Sequence, residues 1–207
     1  MDSIDERQEI IARAAAHLVA EGGLEKLTMR AVAQAAGCSR GLVEHYFKNK
    51  ESLINAADSW ANAQAIARIS EEVADRKGLS ALEARLRQIL PFNETILNEW
   101  RVRIGFRPRA IAAQMRSPEK AGAFKPIFTA LHCDIKIAAE SGEVAADIDV
   151  QAVAEMVLFV AVGIATSCLS DSRLRSQSSL EERVRMIIAL LRSGTLTSMR
   201  FKPPDTY

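Results

Sequence analysis

With 207 residues, the chain is long enough for one large domain, or for a small one joined to a larger, and in either case to bury a real core. A composition of 48% hydrophobic and 26% charged residues excludes the disordered and fibrous classes. The net charge of +1 specifies no partner, but residues 26–50 hold Lys26, Arg30, Arg40, Lys48 and Lys50 against Glu44 alone, a local basic patch after a mainly acidic stretch at 1–25.

In chain order, a first helix is expected over about 5–21, with Ile11, Ala14 and Leu18 on its apolar stripe and Gly22-Gly23 ending it. Thr28 opens a short second helix that carries Met29, Val32 and Ala36 inward. Gly37-Cys38-Ser39 makes a tight turn, and Ser39 is placed to cap a third helix through Tyr46. A long helix then runs from Asn49 to about Arg76, stopped by Gly78. Residues 1–47 alone are close to the size at which a core becomes marginal, so they need that long helix as a packing partner.

Further helices are expected at about 80–90, 94–107, 119–140, 149–169 and 179–193, with breaks near Pro91, from Pro108 to Pro118, at Gly142 and from Ser170 to Ser178. Capping-box pairs at Ser3/Glu6, Ser80/Glu83 and Ser179/Glu182 mark helix starts. No segment alternates with period two over a useful length, so the fold class is all-α. The helix at 149–169 is apolar nearly all round, with Val153, Met156, Val157, Phe159, Val160, Val162 and Ile164. Such a helix is buried on more than one side: at the centre of a monomeric core, or between its own chain and a second copy. The helices near 149–169 and 179–193, the latter with Val184, Ile187, Ile188 and Leu191, are the expected surface of a twofold homodimer.

The stretch GCSRGLVEHYF, residues 37–47, divides its side chains between two surfaces. Leu42, Val43 and Phe47 anchor the helix, while Arg40, Glu44, His45 and Tyr46 stand on the other face. Two short helices joined by a glycine turn, the second capped and polar on one side, make a helix-turn-helix whose second helix can lie in the DNA major groove. A solvated charged face is the plain alternative. For the DNA reading, Arg40 can contact guanine bidentately or bind phosphate, and His45 and Tyr46 can donate to phosphate oxygens. Gly41 permits close backbone approach, and Lys50 adds a cation beside a helix N-terminus. Glu44 either accepts from a cytosine amino group or repels phosphate.

The segment LTMRAVAQAAGCSRGLVEHYFKNKESL, residues 27–53, resembles the DNA-binding motif of the TetR family of one-component bacterial transcription regulators, through Thr28, Arg30, Val32, Ala33, Ala36, Gly37, Ser39, Gly41, Tyr46, Phe47, Lys50 and Leu53. Glu44 stands where many members have an aromatic residue, and Cys38 where valine is more usual. HYF together with ILPFNETILNEWRVRIGF, residues 89–106, further resembles the branch of choline-responsive, BetI-type regulators. The resemblance implies a homodimer of all-helical subunits, each with an N-terminal three-helix DNA-binding domain, here 1–48, and a larger C-terminal ligand-binding and dimerisation domain, here 49–207. It also implies that Thr28, Arg30, Ser39, Arg40, Gly41, Glu44, His45, Tyr46 and Lys50 meet a double-stranded DNA operator.

On the helix at 94–107, Ile96, Trp100 and Ile104 mark the expected inward face, with Arg103 and Arg107 at or beside it. Two roles are open for these arginines: satisfaction by carboxylates such as Glu99 or Glu155 or by the solvent rim, or reading an anionic or carbonyl group of a small molecule in a cavity bounded by Trp60, Trp100, Phe106 and Phe159. A choline-like cation would want an aromatic cage, and Arg103 and Arg107 stand where some members of the choline branch have aromatic residues, so a different effector is expected.

Cys38, Cys133 and Cys168 are odd in number and far apart, matching neither a disulfide framework nor a zinc spacing, and read as reduced thiols. His17, His45 and His132 form no metal spacing, so neither metal nor cofactor is expected. The N-terminus lacks a secretory signal pattern, and the longest apolar stretch is interrupted by Glu155, Gly163, Thr166 and Ser167, so a cytoplasmic protein without a membrane span is expected. The sequence holds no nucleophile elbow, phosphate loop, paired-histidine zinc motif or dinucleotide fingerprint. Asp147 and Asp149 read as helix caps rather than a catalytic pair, and no catalytic residue is assigned. The expected function is therefore a DNA-binding regulator, a repressor released by a small-molecule effector, with control by a protein partner as the alternative.

Overall fold

A computed structural model describes residues 4–116 and 124–195; the expected Ser3 cap, Pro118 and the start of the helix expected from 119 lie outside the described residues. Every regular element among the described residues is helical: α1 (Ile4–Lys26), α2 (Met29–Ala35), α3 (Arg40–Tyr46), α4 (Lys50–Val73), α5 (Gly78–Ile89), α6 (Glu94–Arg116), α7 (Lys125–Glu140), α8 (Val150–Ser170), a 3₁₀ turn (Ser172–Arg175) and α9 (Gln177–Arg192). They group into two compact units. One holds α1–α3, α4 as far as Arg68, and α6; the other holds the end of α4 with α5 and α7–α9.

In the first unit, α1 is broken where expected, at Gly22-Gly23, both with non-helical backbone angles. Its core gathers Ile11, Ala15 and Val19 from α1, Val32 from α2, Val43 and Phe47 from α3 and its end, Leu53, Ile54 and Ala57 from α4, and Val102 and Phe106 from α6. These are apolar side chains at helical spacing, and removing them from water drives the packing. Helix α6 lies so close to α1 that a Cβ added at Gly105 would stand 2.9 Å from Val19 Cγ1. The helix expected to stop at 107 instead continues through Pro108 to Arg116. Proline removes one N–H from the ladder, and the turns before it are anchored by buried Val102 and Phe106.

In the second unit, α5 begins at Gly78 rather than at Ser80, because Glu143, distant in sequence, accepts a hydrogen bond from the Leu79 N–H at 3.2 Å and caps the helix. Gly78 has φ +57, a left-handed conformation that favours glycine, and a Cβ there would push the Glu143 carboxylate aside from its capping position. The cap of α9 is Ser176 rather than Ser179. Asp149 caps α8 through the Ala152 N–H at 3.0 Å, as its position in the sequence predicts.

By length and composition, α8 is long and apolar enough to cross a membrane. Seven of its residues, including Val153, Val157, Leu158 and Ala161, are buried, and it packs against α7 and α5. Asp134 of α7 is buried against Arg85 of α5, whose Nε donates to Asp134 Oδ2 at 2.6 Å.

Candidate nucleic-acid interface

Local sequence builds the helix-turn-helix. Thr28 and Ser39 take the N-cap positions of α2 and α3, their hydroxyl oxygens accepting from the Ala31 and Leu42 N–H groups, each at 3.1 Å. Gly37 turns the chain between them with φ +64, a left-handed conformation that glycine adopts without strain. Val43 and Phe47 are buried, which turns the opposite side of α3 outward. Thr28, Arg30, Ser39, Arg40, Gly41, Glu44, His45 and Lys50 are all exposed, and Tyr46 is half-buried. The Tyr46 ring packs against the core and meets His45 edge-on, with centroids 5.3 Å apart.

Three of these residues have partners that the sequence did not reveal. Arg40 Nε donates to Glu44 Oε1 at 2.7 Å, which gives the lone carboxylate of the basic stretch a partner on its own helix. Lys50 Nζ donates to the Leu24 carbonyl at 3.3 Å, setting the start of α4 against the chain that follows the break in α1. At Gly41 a Cβ would meet only Ser39 Oγ, at 3.9 Å, so internal packing does not require a glycine there.

A cavity of about 280 Å³ opens in the same unit, among Ala16, His17 and Ala20 of α1, Trp60, Ala61 and Gln64 of α4, and Thr95, Asn98, Glu99 and Val102 of α6. Of the six residues expected at a ligand site, Trp60 lines it. Its indole N–H donates to Glu9 Oε1 at 3.2 Å. Trp100 and Phe106 are packed into the interior instead. Arg107 is exposed and Ile104 half-buried, so the inward face of α6 runs through Ile96, Leu97, Trp100, Val102 and Phe106. Phe159 belongs to the other unit and is 68% exposed, because α8 turns Val157, Leu158 and Ala161 inward and leaves position 159 outside.

Arg103 lies 5.0 Å from the centre of the Trp100 ring, and one of its terminal nitrogens donates to Asn62 Oδ1 at 3.2 Å. Its buried Nε has no hydrogen-bond partner. Burial lowers the Arg103 pKa, against the pull of Glu99 and Asp58. Burial likewise raises that of Asp58, against Arg103 and an Asn62 hydrogen bond. Glu99 is held by Arg68 at 2.6 Å. Of the carboxylates expected beside these arginines, Glu99 lies near Arg103 but is paired with Arg68, Glu155 accepts from Gln151 on α8 instead, and Asp58 is the neighbour that sequence reasoning missed. Among the described residues no three His, Cys, Asp or Glu side chains come together to hold a metal ion.

A capped, glycine-turned pair of helices with one polar face exposed defines the class: a helix-turn-helix protein. Residues 11–57 match the family model described as bacterial regulatory proteins, tetR family. Over 119 residues the chain is 32% identical to the HTH-type transcriptional regulator BetI of Stenotrophomonas maltophilia (strain R551-3), a match covering 56% of this chain and 58% of that protein. The matched segment thus spans somewhat more than half the length of that relative. A transcriptional regulator from Rhodococcus sp. Rha1 superimposes with a TM-score of 0.75 at 26% identity, over 90% of this chain and 96% of that one. A transcriptional regulator from Saccharomonospora viridis, solved in complex with choline, gives a TM-score of 0.77 at 17% identity, over 90% and 97% of the two chains, and shares the fold. Residues 11–57 thus resemble the DNA-binding part of TetR-family regulators, and the chain as a whole shares the fold of transcriptional regulators. The BetI match is in keeping with the branch read from residues 89–106.

Proposed function

We propose that the protein is a cytoplasmic repressor that binds a pseudo-palindromic DNA operator as a homodimer and leaves it when a small molecule binds. The observation that carries this reading is the outward face of α3, where Arg40, Gly41, Glu44 and His45 are exposed beside Arg30 and Lys50. Cations and hydroxyls on this face suit phosphate contacts, and α3 suits the major groove. Gly41, which internal packing does not demand, leaves room for a nucleic-acid backbone. Residues 1–48 are the reading part in this division of labour and 49–207 the regulatory part.

Exposed Phe159 and Val160 on α8 and Met186 and Leu190 on α9 support a partner chain on those two helices, since large apolar side chains gain from leaving water. The effector site we infer is the cavity between α1, α4 and α6, where Trp60 and the alanines offer an apolar wall and Gln64, Thr95 and Asn98 a polar rim. Because Glu99, the acid on the lining, is paired with Arg68, the lining suits a polar, uncharged molecule with one apolar face. The S. viridis protein binds choline, but this cavity has one tryptophan and no aromatic cage.

A molecule entering there would press on α1, α4 and α6 together and shift the recognition helix. Half-sites lie about 34 Å apart, so displacement of a few ångströms opposes simultaneous docking. A coupling of about 1–3 kcal/mol would change affinity on the order of 5–150-fold. The test is selection from a random duplex library with the purified protein, followed by titration of the winner with candidate effectors. A palindromic winner released by a compound that also changes Trp60 fluorescence supports the reading. Enrichment of no sequence at any salt overturns it.

A further inference from the structure

The recognition helix carries an ion pair whose consequence is geometric. Arg40 and Glu44 are one turn apart on α3, joined from Nε to Oε1 at 2.7 Å, with side chains 67% and 46% exposed. At that exposure the pair contributes little to stability. It does fix which edge of the guanidinium a partner can use. Arg can present Nε with one terminal nitrogen, or the two terminal nitrogens together, as a planar fork. Glu44 occupies Nε, so the terminal fork remains, and such a fork matches O6 and N7 of guanine in the major groove.

The carboxylate also repels phosphate, the other partner open to Arg40. We propose that Glu44 is a positioning residue that sets specificity: by holding Arg40 through Nε, it commits that side chain to a guanine edge instead of the DNA backbone. This rests on the operator-binding reading above. It makes Glu44, an acid on a DNA-facing helix, a source of sequence preference rather than a defect in affinity.

The experiment is a random-duplex selection with the full chain and with Glu44→Ala, Glu44→Gln and Arg40→Ala, all checked for fold by thermal melting. Anisotropy titrations then cover the wild-type winner, its single-base variants and a non-specific duplex over a range of salt. The wild-type winner is expected to hold a guanine in each half-site whose replacement weakens binding about 10-fold or more. Arg40→Ala abolishes that preference. Glu44→Ala reduces it to about 3-fold or less at the same position, while affinity for the non-specific duplex rises, because a repulsive charge is gone and Arg40 is released to phosphate.

Glu44→Gln keeps an oxygen for Nε and restores most of the preference, a rescue that a merely structural role would not give. Full guanine preference in Glu44→Ala, weakening of all duplexes alike, or failure of Glu44→Gln to restore the preference overturns the proposal while leaving operator binding intact. A wild-type protein that enriches no sequence overturns the operator reading itself, and this assignment with it.

Discussion

The outward faces of α3 and α8 are both uncovered in a single chain, yet they have opposite chemistry. Helix α3 shows Arg40, Glu44 and His45 to solvent, whereas α8 shows Phe159 and Val160, and α9 shows Met186 and Leu190. A charged face is already satisfied by water and counterions, so it waits for a partner at no cost to folding. An apolar face is not: a phenylalanine left in water forgoes about 1.5–3 kcal/mol of burial. The difference teaches that one face suits a reversible, salt-sensitive partner and the other a lasting one made of protein.

The largest effect should come from breaking the apolar face. Phe159→Asp combined with Met186→Glu puts two charges where the proposed twofold contact lies. Loss of two anchors of about 2 kcal/mol or more each raises the dimer Kd on the order of 1,000-fold or more. Sedimentation should then show monomer at micromolar concentration, and DNA binding should fall to half-site affinity. An unchanged oligomer would move the interface elsewhere and leave α8 and α9 with no assigned partner.

Next in size is an effect inside the first unit, at Arg103. Asp58 has its pKa raised by burial despite Arg103 beside it. A carboxyl with a raised folded-state pKa contributes stability that is fully present below about pH 4 and is lost as pH rises through the folded-state value. Arg103→Met removes the cation that holds this rise in check, so Asp58 shifts further up and the loss grows. Glu99 keeps Arg68 in either case. The variant should match or exceed the wild type near pH 3, where a desolvated guanidinium with an unbonded Nε has been removed. It should be less stable by about 1–3 kcal/mol at neutral pH, where a partly buried carboxylate is uncompensated. Denaturant melts across pH measure the difference, and a pH-independent difference would remove Asp58 from the account.

The contrast between the two faces also explains what sequence could and could not reveal. The caps at Thr28, Ser39 and Asp149 and the turn at Gly37 depend on neighbours within a few residues, so the helix-turn-helix and its exposed residues were legible. Helix α8 is apolar nearly all round, so its sequence could not say that residue 159 points outward. The start of α5 depends on Glu143, some sixty residues away in sequence. The ligand site suffered most, because its expected members lie on several helices whose facing is fixed by packing. Only Trp60 lines the cavity, and His17, Gln64 and Asn98 had no local signal to mark them.

A smaller effect sharpens the reading of α3. Gly41 meets no atom but Ser39 Oγ within 4 Å of its would-be Cβ, so Gly41→Ala should raise stability by up to about 1 kcal/mol through helix propensity. DNA affinity should fall in the same protein, since the added methyl group occupies space kept for the nucleic acid. A variant that is both more stable and binds DNA as well as the wild type would show that the first turn of α3 stays clear of the backbone.

The smallest change is expected at Lys50, and salt is the measurement that isolates it. Its Nζ spends one donor on the Leu24 carbonyl, and an ammonium has three, so two remain for a phosphate oxygen. Each neutralised phosphate contributes about 0.9 to the slope of log affinity against log salt. Lys50→Ala should therefore lower that slope by about 1 for each lysine in the complex, equally for specific and non-specific duplexes, and leave base preferences as they were. The apolar face predicts no such dependence for dimerisation, whose Kd should stay nearly flat over the same salt range. A dimer that loosened with salt as steeply as the DNA complex would mean that charged residues carry both contacts, and the distinction between the two faces would fail.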